Sequence, residues 1–416
     1  MAKLTTLLTS CLLVCISTAG ADDTQKHISW TGCLPGPFSN DDHPPCEHGS
    51  HTTDTPDDYS PSEFRPWTHR PICPDETPYC VHTDASFHDR GLSVIAIPYS
   101  KAKSLNETTP IRSIEILLAS NALGEATPEL SVEPEDKPYE IRDIPGKGKG
   151  MVAVTKIPRG TVLMVEYVAV LADMVFPTRV KRSLGREMLR RAMDRLGDEQ
   201  RDLILGLARS SSTPGSVPAA EDIMRTNSFT ISVAGKSQMG LFPRIARINH
   251  SCKPSAIIKF DEQTLSMTVR TIRDIEPGEE VTLSYADFGL SFHERQRTLK
   301  AKWGFECTCE LCSAPPDEIA RSDARRKKIT QLGAEVVENL EEYSFEAAVG
   351  KHREMMEVIE EEALAPHMGD YYEVMTRLLA ASKNIKEAKK YARLAIAEFE
   401  LVGEKKEELE AFLKVA

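Results

Sequence analysis

Residues 303–312 read WGFECTCELC, and the three cysteines among them give the strongest structural pattern in the chain. Cys307, Cys309 and Cys312 are spaced closely enough to bind one tetrahedral zinc ion, at a metal–sulfur distance of about 2.3 Å. A fourth ligand is then needed, and Cys252 is the only other cysteine beyond residue 80. Core thiols or redox cysteines are the alternative interpretation. Because four thiolates leave no coordination position for a substrate, the sequence predicts a structural zinc.

Three further segments stand out: one is rich in glycine, one is polar, and one ends in an aromatic residue. Residues 145–150 read PGKGKG, residues 247–252 read RINHSC, and residues 278–285 read GEEVTLSY. The glycine-rich turn lets backbone approach a ligand closely, because glycine has no Cβ and tolerates positive φ. Alone, each segment has an ordinary interpretation: a tight loop, a turn, and a core aromatic residue after a strand. The turn also lacks the spacing of a dinucleotide-binding fingerprint.

Taken together, these segments resemble in order and spacing the motifs of SET-domain protein lysine methyltransferases across residues 139–313. The likeness is greatest to the SET and MYND class without its MYND cassette, and closest to fungal SET-domain proteins. The resemblance implies a mainly β SET fold of small, knotted sheets at 139–286 with a helical insert at 172–226. It further implies a zinc-bound post-SET segment at 287–313 and an α-helical C-terminal domain at 317–416.

The resemblance also implies S-adenosyl-L-methionine as cofactor, a lysine of a protein or peptide as substrate, and roles for particular residues. The residues implied to bind the cofactor are Lys147, Gly148 and Lys149 at its methionine end, Asn249 and His250 at its adenine, Trp303 and Phe305 over the adenine, and Asn227. Tyr285 corresponds to the active-site tyrosine, which aligns the lysine amine with the transferring methyl group. Methyl transfer from a sulfonium is an in-line displacement, so it needs orientation but no protein nucleophile. Ser255 stands where the family commonly has asparagine.

The first 21 residues have the three-part pattern of a secretory signal peptide. Lys3 precedes a short apolar run, and residues 19–21 read AGA, which fits a cleavage site. A mistranslated start or a disordered leader is the alternative. Residues 22–138 are then expected to form an acidic, Cys- and Pro-rich region in the secretory pathway or outside the cell. Its cysteines are expected to pair as disulfides, and these are Cys33, Cys46, Cys73 and Cys80.

Charge is unevenly distributed along the chain. The formal net charge is −12, and residues 22–140 hold 21 acidic and 8 basic side chains. Because no clustered basic stripe is present, direct binding of nucleic acid is disfavoured. The apolar run of the leader is shorter than the roughly 20 residues that span a bilayer, so no membrane contact is expected after cleavage. We expect a monomeric enzyme.

Three alternatives concern function and location. The first is a non-catalytic, secreted SET-fold protein that binds a partner or acts as a scaffold. The second is an extracellular, disulfide-stabilised protein of unrelated function. The third keeps the enzyme but places it in the nucleus or cytosol, where SET substrates are mainly found.

Overall fold

The computed structural model describes residues 65–122, 137–210, 217–362, 368–401 and 406–415. The predicted signal peptide and the cysteines Cys33 and Cys46 lie outside these ranges. The strands are β1 (Cys80–Asp84), β2 (Leu92–Ala96), β3 (Tyr139–Ile144), β4 (Gly148–Ala153), β5 (Val162–Tyr167), β6 (Val170–Asp173), β7 (Phe229–Val233), β8 (Lys236–Leu241), β9 (Asn249–His250), β10 (Ala256–Asp261), β11 (Ser266–Thr271) and β12 (Glu280–Leu283). The helices are α1 (Tyr99–Ser104), α2 (Ile111–Ala122), α3 (Phe176–Arg179), α4 (Arg182–Asp194), α5 (Asp198–Leu205), α6 (Ala219–Asn227), α7 (Phe292–Trp303), α8 (Pro316–Glu341), α9 (Phe345–Glu361), α10 (Met368–Ala381), α11 (Ile385–Leu401) and α12 (Glu407–Val415).

The strands form three small sheets. Their strand orders are β1–β2–β6–β8–β7, β10–β11–β5 and β3–β4–β12–β9. Most neighbouring strands are antiparallel, but β2 pairs with β6 and β9 pairs with β12 in parallel. A parallel pair cannot be closed by a tight hairpin, so each of these pairings joins segments that are far apart in sequence. The mixed small sheets of the expected fold class are therefore present.

Strands β1 and β2 come from the predicted N-terminal region, yet they belong to the five-stranded sheet. Every residue of both strands is buried, and Val94 of β2 lies opposite Leu171 of β6. A disulfide joins Cys80, the first residue of β1, to Cys73 in the segment before that strand. An isolated two-stranded hairpin is at best marginally stable, so this pair gains its stability from the sheet it joins. The sheet thus crosses the expected domain boundary at residue 138.

Helices α3 to α6 lie between β6 and β7, where the resemblance implies a helical insert at 172–226. Met188 and Met193 of α4 pack in one apolar cluster with Ile95 of β2 and Ala172 of β6. The insert therefore covers one face of the five-stranded sheet.

The C-terminal part of the chain is helical, as expected. Helix α8 packs against α9, and α10 packs against α11. Val336 and Ala392 are fully buried, whereas Tyr343 is 57% exposed. Tyr343 lies beyond α8, which ends at Glu341, and its backbone has a positive φ of 59°. No helix within the described ranges is long and apolar enough to cross a membrane.

Candidate active site

The site lies where β9 and β12 run side by side. Asn249 lies opposite Thr282, and His250 lies opposite Leu283. The amide of Ser251 donates a hydrogen bond to the Leu283 carbonyl at 2.9 Å. Since Tyr285 lies two residues after the end of β12, this parallel pairing places it beside His250. Two motifs that are distant in sequence therefore meet.

A cleft of about 1370 Å³ opens at this junction. It is lined by Tyr285 and by all the residues assigned to the cofactor, namely Lys147, Gly148, Lys149, Asn227, Asn249, His250, Trp303 and Phe305. Small-molecule pockets are typically about 300–1,000 Å³. The cleft is therefore large enough for a nucleoside-containing cofactor together with an entering side chain.

His250 links the cleft to the cysteine cluster. The amide of Tyr285 donates to its Nδ1 at 3.0 Å, so the ring proton belongs on Nε2. That Nε2 lies 3.4 Å from Sγ of Cys252. Both imidazole nitrogens are therefore bonded within the protein. A ligand would have to contact His250 through its main chain. The imidazole fixes the backbone of Tyr285 relative to Cys252.

Tyr285 is held by its hydroxyl and by its ring. The hydroxyl donates to the carbonyl of Ile248 at 2.6 Å, so its oxygen lone pairs are left as acceptors. The ring centroid lies 5.1 Å from that of Trp303 and 5.4 Å from that of His250. Burial, together with the negative charge of Glu280, raises the pKa of Tyr285 well above its ordinary value. The phenol is thus a neutral group that can accept a hydrogen bond.

Glu280 organises the polar side of the cleft, although the sequence assigned it no role. Its carboxylate accepts from Lys147 Nζ at 2.7 Å and from Asn249 Nδ2 at 2.8 Å. A Cβ on Gly150 would lie 2.7 Å from that Asn249 nitrogen and 2.9 Å from the Glu280 carboxylate. Glycine is therefore required at position 150 to admit these two side chains. Gly148 is needed for another reason, because its φ of +72° lies in the left-handed region.

The opposite wall of the cleft is built from α6 and the end of α7. The amide of Asn227 donates to the carbonyls of Ala208 at 2.8 Å and Ile223 at 2.9 Å. The indole of Trp303 donates to the carbonyl of Thr226 at 3.0 Å. These bonds join the helical insert to the segment before the cysteines. Asn227 and Trp303 are thus held in place before any ligand is bound.

Lys149 differs from the other assigned residues. Its side chain is 49% exposed, and its Nζ lies 3.6 Å from the Asp143 carboxylate, which is itself 85% exposed. Such an exposed ion pair contributes little free energy, because water screens it. The carbonyl of Lys149 has a clearer part, since it accepts from Asn249 Nδ2 at 3.2 Å.

The four predicted zinc ligands converge. The Sγ atoms of Cys252, Cys307, Cys309 and Cys312 all lie within 4.8 Å of one another, and none of the four is in a disulfide. The distance between Sγ of Cys252 and Sγ of Cys312 is 3.5 Å. Ligands at about 2.3 Å from a tetrahedral zinc would be about 3.8 Å apart. The cluster therefore fits a structural zinc ion with an all-cysteine ligand set.

Ser255 shows how the departure from the family motif is accommodated. It is fully buried, and its Oγ accepts from the amide of Thr282 at 2.9 Å. Thr282 is the β12 residue opposite Asn249. Serine at this place thus still ties the segment after β9 to β12.

Two buried arginines flank the cysteine cluster, and no motif predicts their burial. Arg295 of α7 and Arg326 of α8 are each 1% exposed. One guanidinium nitrogen of Arg326 donates to the carbonyl of Cys252 at 3.0 Å. Both residues lie on helices rich in charged side chains, where arginine normally faces solvent. Glu280 could have been found, because it lies within the GEEVTLSY motif on the strand that ends beside Tyr285.

A comparison with known protein families agrees with this geometry. The family model described as SET domain matches residues 148–286, from the first residue of β4 to the residue after Tyr285. The chain contains a SET domain. The resemblance inferred from the motifs is thereby confirmed, with small mixed sheets and a helical region C-terminal to the SET domain.

Relatives of the chain share this SET domain. The chain is 31% identical over 196 residues to "Histone-lysine N-methyltransferase set5" of Schizosaccharomyces pombe, covering 47% of this chain and 57% of that protein. It is 42% identical over 88 residues to human "Histone-lysine N-methyltransferase SMYD3", covering 21% of this chain and 20% of that protein. It is 30% identical over 120 residues to "N-lysine methyltransferase SMYD2-B" of Danio rerio, covering 28% of this chain and 27% of that protein. The chain therefore spans little more than half of the yeast relative, a fifth of the human one and about a quarter of the Danio rerio one.

Proposed function

We propose that this protein transfers a methyl group from S-adenosyl-L-methionine to a lysine side chain of a protein. The observation that carries the proposal is the convergence of Asn249, His250 and Tyr285 on one cleft, within a SET domain. The names of the relatives support it, because these are histone-lysine and N-lysine methyltransferases.

The residues of the cleft suit such a cofactor. Lys147 would hold its charged methionine end and Asn249 would contact its adenine, while Trp303 and Phe305 provide flat apolar surfaces that would cover that adenine. When bound, S-adenosyl-L-methionine supplies a methyl group already activated by a positively charged sulfur. The remaining task of the protein is to exclude water and to orient the amine.

The lysine of the substrate must lose a proton before it can react. A free lysine has a pKa near ~10.4, and burial beside a positive charge lowers that value because it disfavours the ammonium form. The oxygen of Tyr285 would accept a hydrogen bond from the neutral amine and direct the nitrogen lone pair at the methyl carbon. The ammonium proton would pass to solvent before the amine reacts, and the cofactor, when bound, would supply the methyl group and leave as a neutral thioether.

We also propose two finer features of the fold. A structural zinc at the four cysteines would fix the post-SET segment that carries Trp303 and Phe305. The segment after β9 and the segment after β12 would pass one another as a knot, which the parallel pairing of the two strands supports. Neither feature takes part in the chemical step.

The location of the enzyme is a separate proposal. We infer that the chain enters the secretory pathway, because residues 1–21 have the pattern of a signal peptide and Cys73 forms a disulfide with Cys80.

A calorimetric titration with S-adenosyl-L-methionine tests the proposed function most directly. Saturable binding at one site per chain is expected, followed by methylated lysine in an array of lysine peptides read by mass spectrometry. S-adenosyl-L-homocysteine serves as a control, because it fills the same site but has no methyl group to transfer. Absence of binding to the zinc-loaded protein would overturn the proposal. Binding without methylation of any lysine peptide would favour the scaffold alternative.

A further inference from the structure

Arg326 of α8 lies at the junction between the helical C-terminal region and the SET domain. One guanidinium nitrogen donates to the carbonyl of Cys252 at 3.0 Å, and another donates to the carbonyl of Phe288 at 2.9 Å. Cys252 is two residues after His250, and Phe288 is three residues after Tyr285. A single side chain therefore holds the two chain segments that leave the site.

The charge of Arg326 is balanced by Glu362, the residue directly after α9. The Nε of Arg326 donates to the Glu362 carboxylate at 3.0 Å, and Glu362 is fully buried. The same carboxylate accepts from the hydroxyl of Ser322 and from Nε of Arg325 at 2.7 Å. A carboxylate at the C-terminal end of a helix is opposed by the helix dipole. These partners offset that effect, so α8 and α9 fix the position of the guanidinium.

We propose that Arg326 is a positioning residue that sets the distance and orientation between the segment of Asn249 and His250 and the segment of Tyr285. The helical C-terminal region is thus part of the frame of the site. This inference deepens the proposed function and rests on it for its effect on cofactor affinity. The geometric part, that Arg326 holds both segments, stands on the hydrogen bonds alone.

The shape of the side chain explains why arginine is needed. A guanidinium presents donors in a rigid planar fork, so it can hold Glu362 and two carbonyls that lie in different directions. A lysine in its place would keep the buried charge beside Glu362 but has one nitrogen for three acceptors. Methionine would keep much of the volume and remove every donor.

The test compares Arg326→Met with Arg325→Met. Both substitutions remove a guanidinium from Glu362, but only Arg326 reaches the carbonyls of Cys252 and Phe288. Hydrogen exchange by mass spectrometry on the zinc-loaded full chain should show faster exchange of residues 249–255 and 285–290 in Arg326→Met alone. Affinity for S-adenosyl-L-methionine should fall about ten-fold in that variant, since a hydrogen bond from a charged group is lost at each segment. It should change less than about two-fold in Arg325→Met.

Two further variants separate positioning from folding. Arg326→Lys preserves the charge beside Glu362 and should fold, yet it should show the same local exchange and the same loss of affinity. The double variant Arg326→Met/Glu362→Gln also removes the buried negative charge that Arg326 balances, so its melting temperature should recover relative to Arg326→Met. Its exchange at residues 249–255 and its cofactor affinity should not recover.

Three outcomes would overturn the inference. The first is unchanged exchange at both segments in Arg326→Lys. The second is an equal change in the two methionine variants. The third is recovery of affinity together with stability in the double variant, which would reduce Arg326 to a purely structural role. Failure of the unsubstituted protein to bind S-adenosyl-L-methionine would instead contradict the proposed function and leave the exchange comparison as the deciding measurement.

Discussion

Tyr285 has a hydroxyl whose proton and lone pairs serve different partners. The proton is donated to the carbonyl of Ile248, and the lone pairs are available to the amine of a substrate. We expect Tyr285→Phe to keep cofactor affinity within about three-fold, because the ring and its stacking remain. The rate of methylation should fall by about two orders of magnitude, since a positioning hydrogen bond in the transition state is lost.

Steady-state kinetics with a methylated peptide product and a separate cofactor titration would check this expectation. An equal loss of cofactor affinity and of turnover would show that the hydroxyl acts on the cofactor and not on the amine. Tyr343→Phe is a matched control, because Tyr343 is exposed and lies outside the cleft.

Glu280 holds Lys147 and Asn249, two side chains that line the cleft. Glu280→Gln would remove the negative charge that keeps Lys147 in place and would weaken the acceptor for Asn249. We expect affinity for S-adenosyl-L-methionine to fall about ten-fold, which is the effect of losing one charge-assisted hydrogen bond. Titration calorimetry at low and moderate salt would measure it.

Glu279→Gln is the control for this substitution, because the preceding residue makes the same chemical change at the surface. The carboxylate of Glu279 accepts from Arg273 and from the amide of Glu276, away from the cleft. Similar affinities for the two variants would show that Glu280 has no special part in holding the site.

The roles of individual residues were only partly predictable. The residues assigned by the motifs do line one cleft, because the pairing of β9 with β12 brings together the motifs that carry Asn249 and Tyr285. The hydrogen bonds of the His250 imidazole with the Tyr285 amide and with Sγ of Cys252 were not predictable. They depend on the register of two strands more than 30 residues apart. Arg326 looked like any charged residue of a surface helix, and only the packing of α8 shows its contacts.

The turn that precedes β9 is held by one buried carboxylate. Glu166 of β5 is 2% exposed and accepts hydrogen bonds from the amides of Arg244 at 2.9 Å and Ile245 at 2.8 Å. Burial raises the pKa of Glu166 from 4.5 to about 7, against the opposing effect of these amides and of the nearby charges of Arg244 and Arg90. The carboxylate therefore helps to place Ile248 and Asn249 through the short helix at Ile245–Arg247.

This raised pKa has a definite consequence for the pH dependence of stability. Between pH 4.5 and about 7 the folded protein keeps a proton on Glu166 that the unfolded chain releases. The free energy of unfolding should thus fall as pH rises through this window, by up to roughly 3 kcal/mol. Because Glu166→Gln cannot titrate, the difference in stability between the original protein and the variant should change with pH by that amount.

Urea denaturation of both proteins at several pH values between 4.5 and 8 would measure the effect. Comparing the two proteins cancels contributions from other groups, such as His82 and His352, whose pKa values burial lowers to about 4. Parallel stability curves for the two proteins would contradict the assignment.

The segment from α7 to α8 depends on the cysteine cluster. Cys309→Ser should reduce bound zinc, loosen the apolar cluster that includes Leu299 and Leu311, and weaken cofactor affinity, because zinc binding free energy is also folding free energy. Metal analysis and a cofactor titration would measure the two effects. Ser313→Ala, at an exposed position next to the cluster, is the control. Retention of both zinc and affinity in Cys309→Ser would reject the zinc assignment.

The elements of the fold were predicted unequally well. Strand β7 and the helices of the insert follow from alternation and from helical spacing. Strand β1 was missed because CVHTD contains three polar residues and is buried only through its partners. Strand β9 has two residues, too few for any periodicity.

The chain as a whole contains a SET domain and a helical C-terminal region, and residues 1–21 are expected to form a leader. If it enters the secretory pathway, it should be cut after Ala21 and carry a glycan at Asn106, which is exposed between α1 and α2. The other acceptor sequence begins at Asn249, whose amide donates to Glu280 within the site, so it should remain unmodified. Cys33 and Cys46, together with the disulfide of Cys73 and Cys80, should leave no free thiol in that region.

Intact mass after expression in a eukaryotic secretory host, with and without glycosidase, would read all three features. Asn106→Gln is the control, since it removes the expected glycan without touching the cleft. An unprocessed Met1, free thiols before residue 81 and no glycan would place the protein in the nucleus or cytosol.

Arg326 bonds to the carbonyl of Cys252 and to Glu362, which comes 110 residues later in the chain, and this separation has a consequence during biosynthesis. Cys252 leaves the ribosome well before the remaining zinc ligands, and the frame around it is complete only after Glu362. At about 5–20 residues per second, synthesis from Cys252 to Glu362 takes roughly 5–20 seconds. Disulfide formation takes seconds to hours, so in an oxidising lumen the interval falls at the fast end of that chemistry. The yield of active protein would then depend on the local zinc supply, because metal capture competes with oxidation of a waiting thiol.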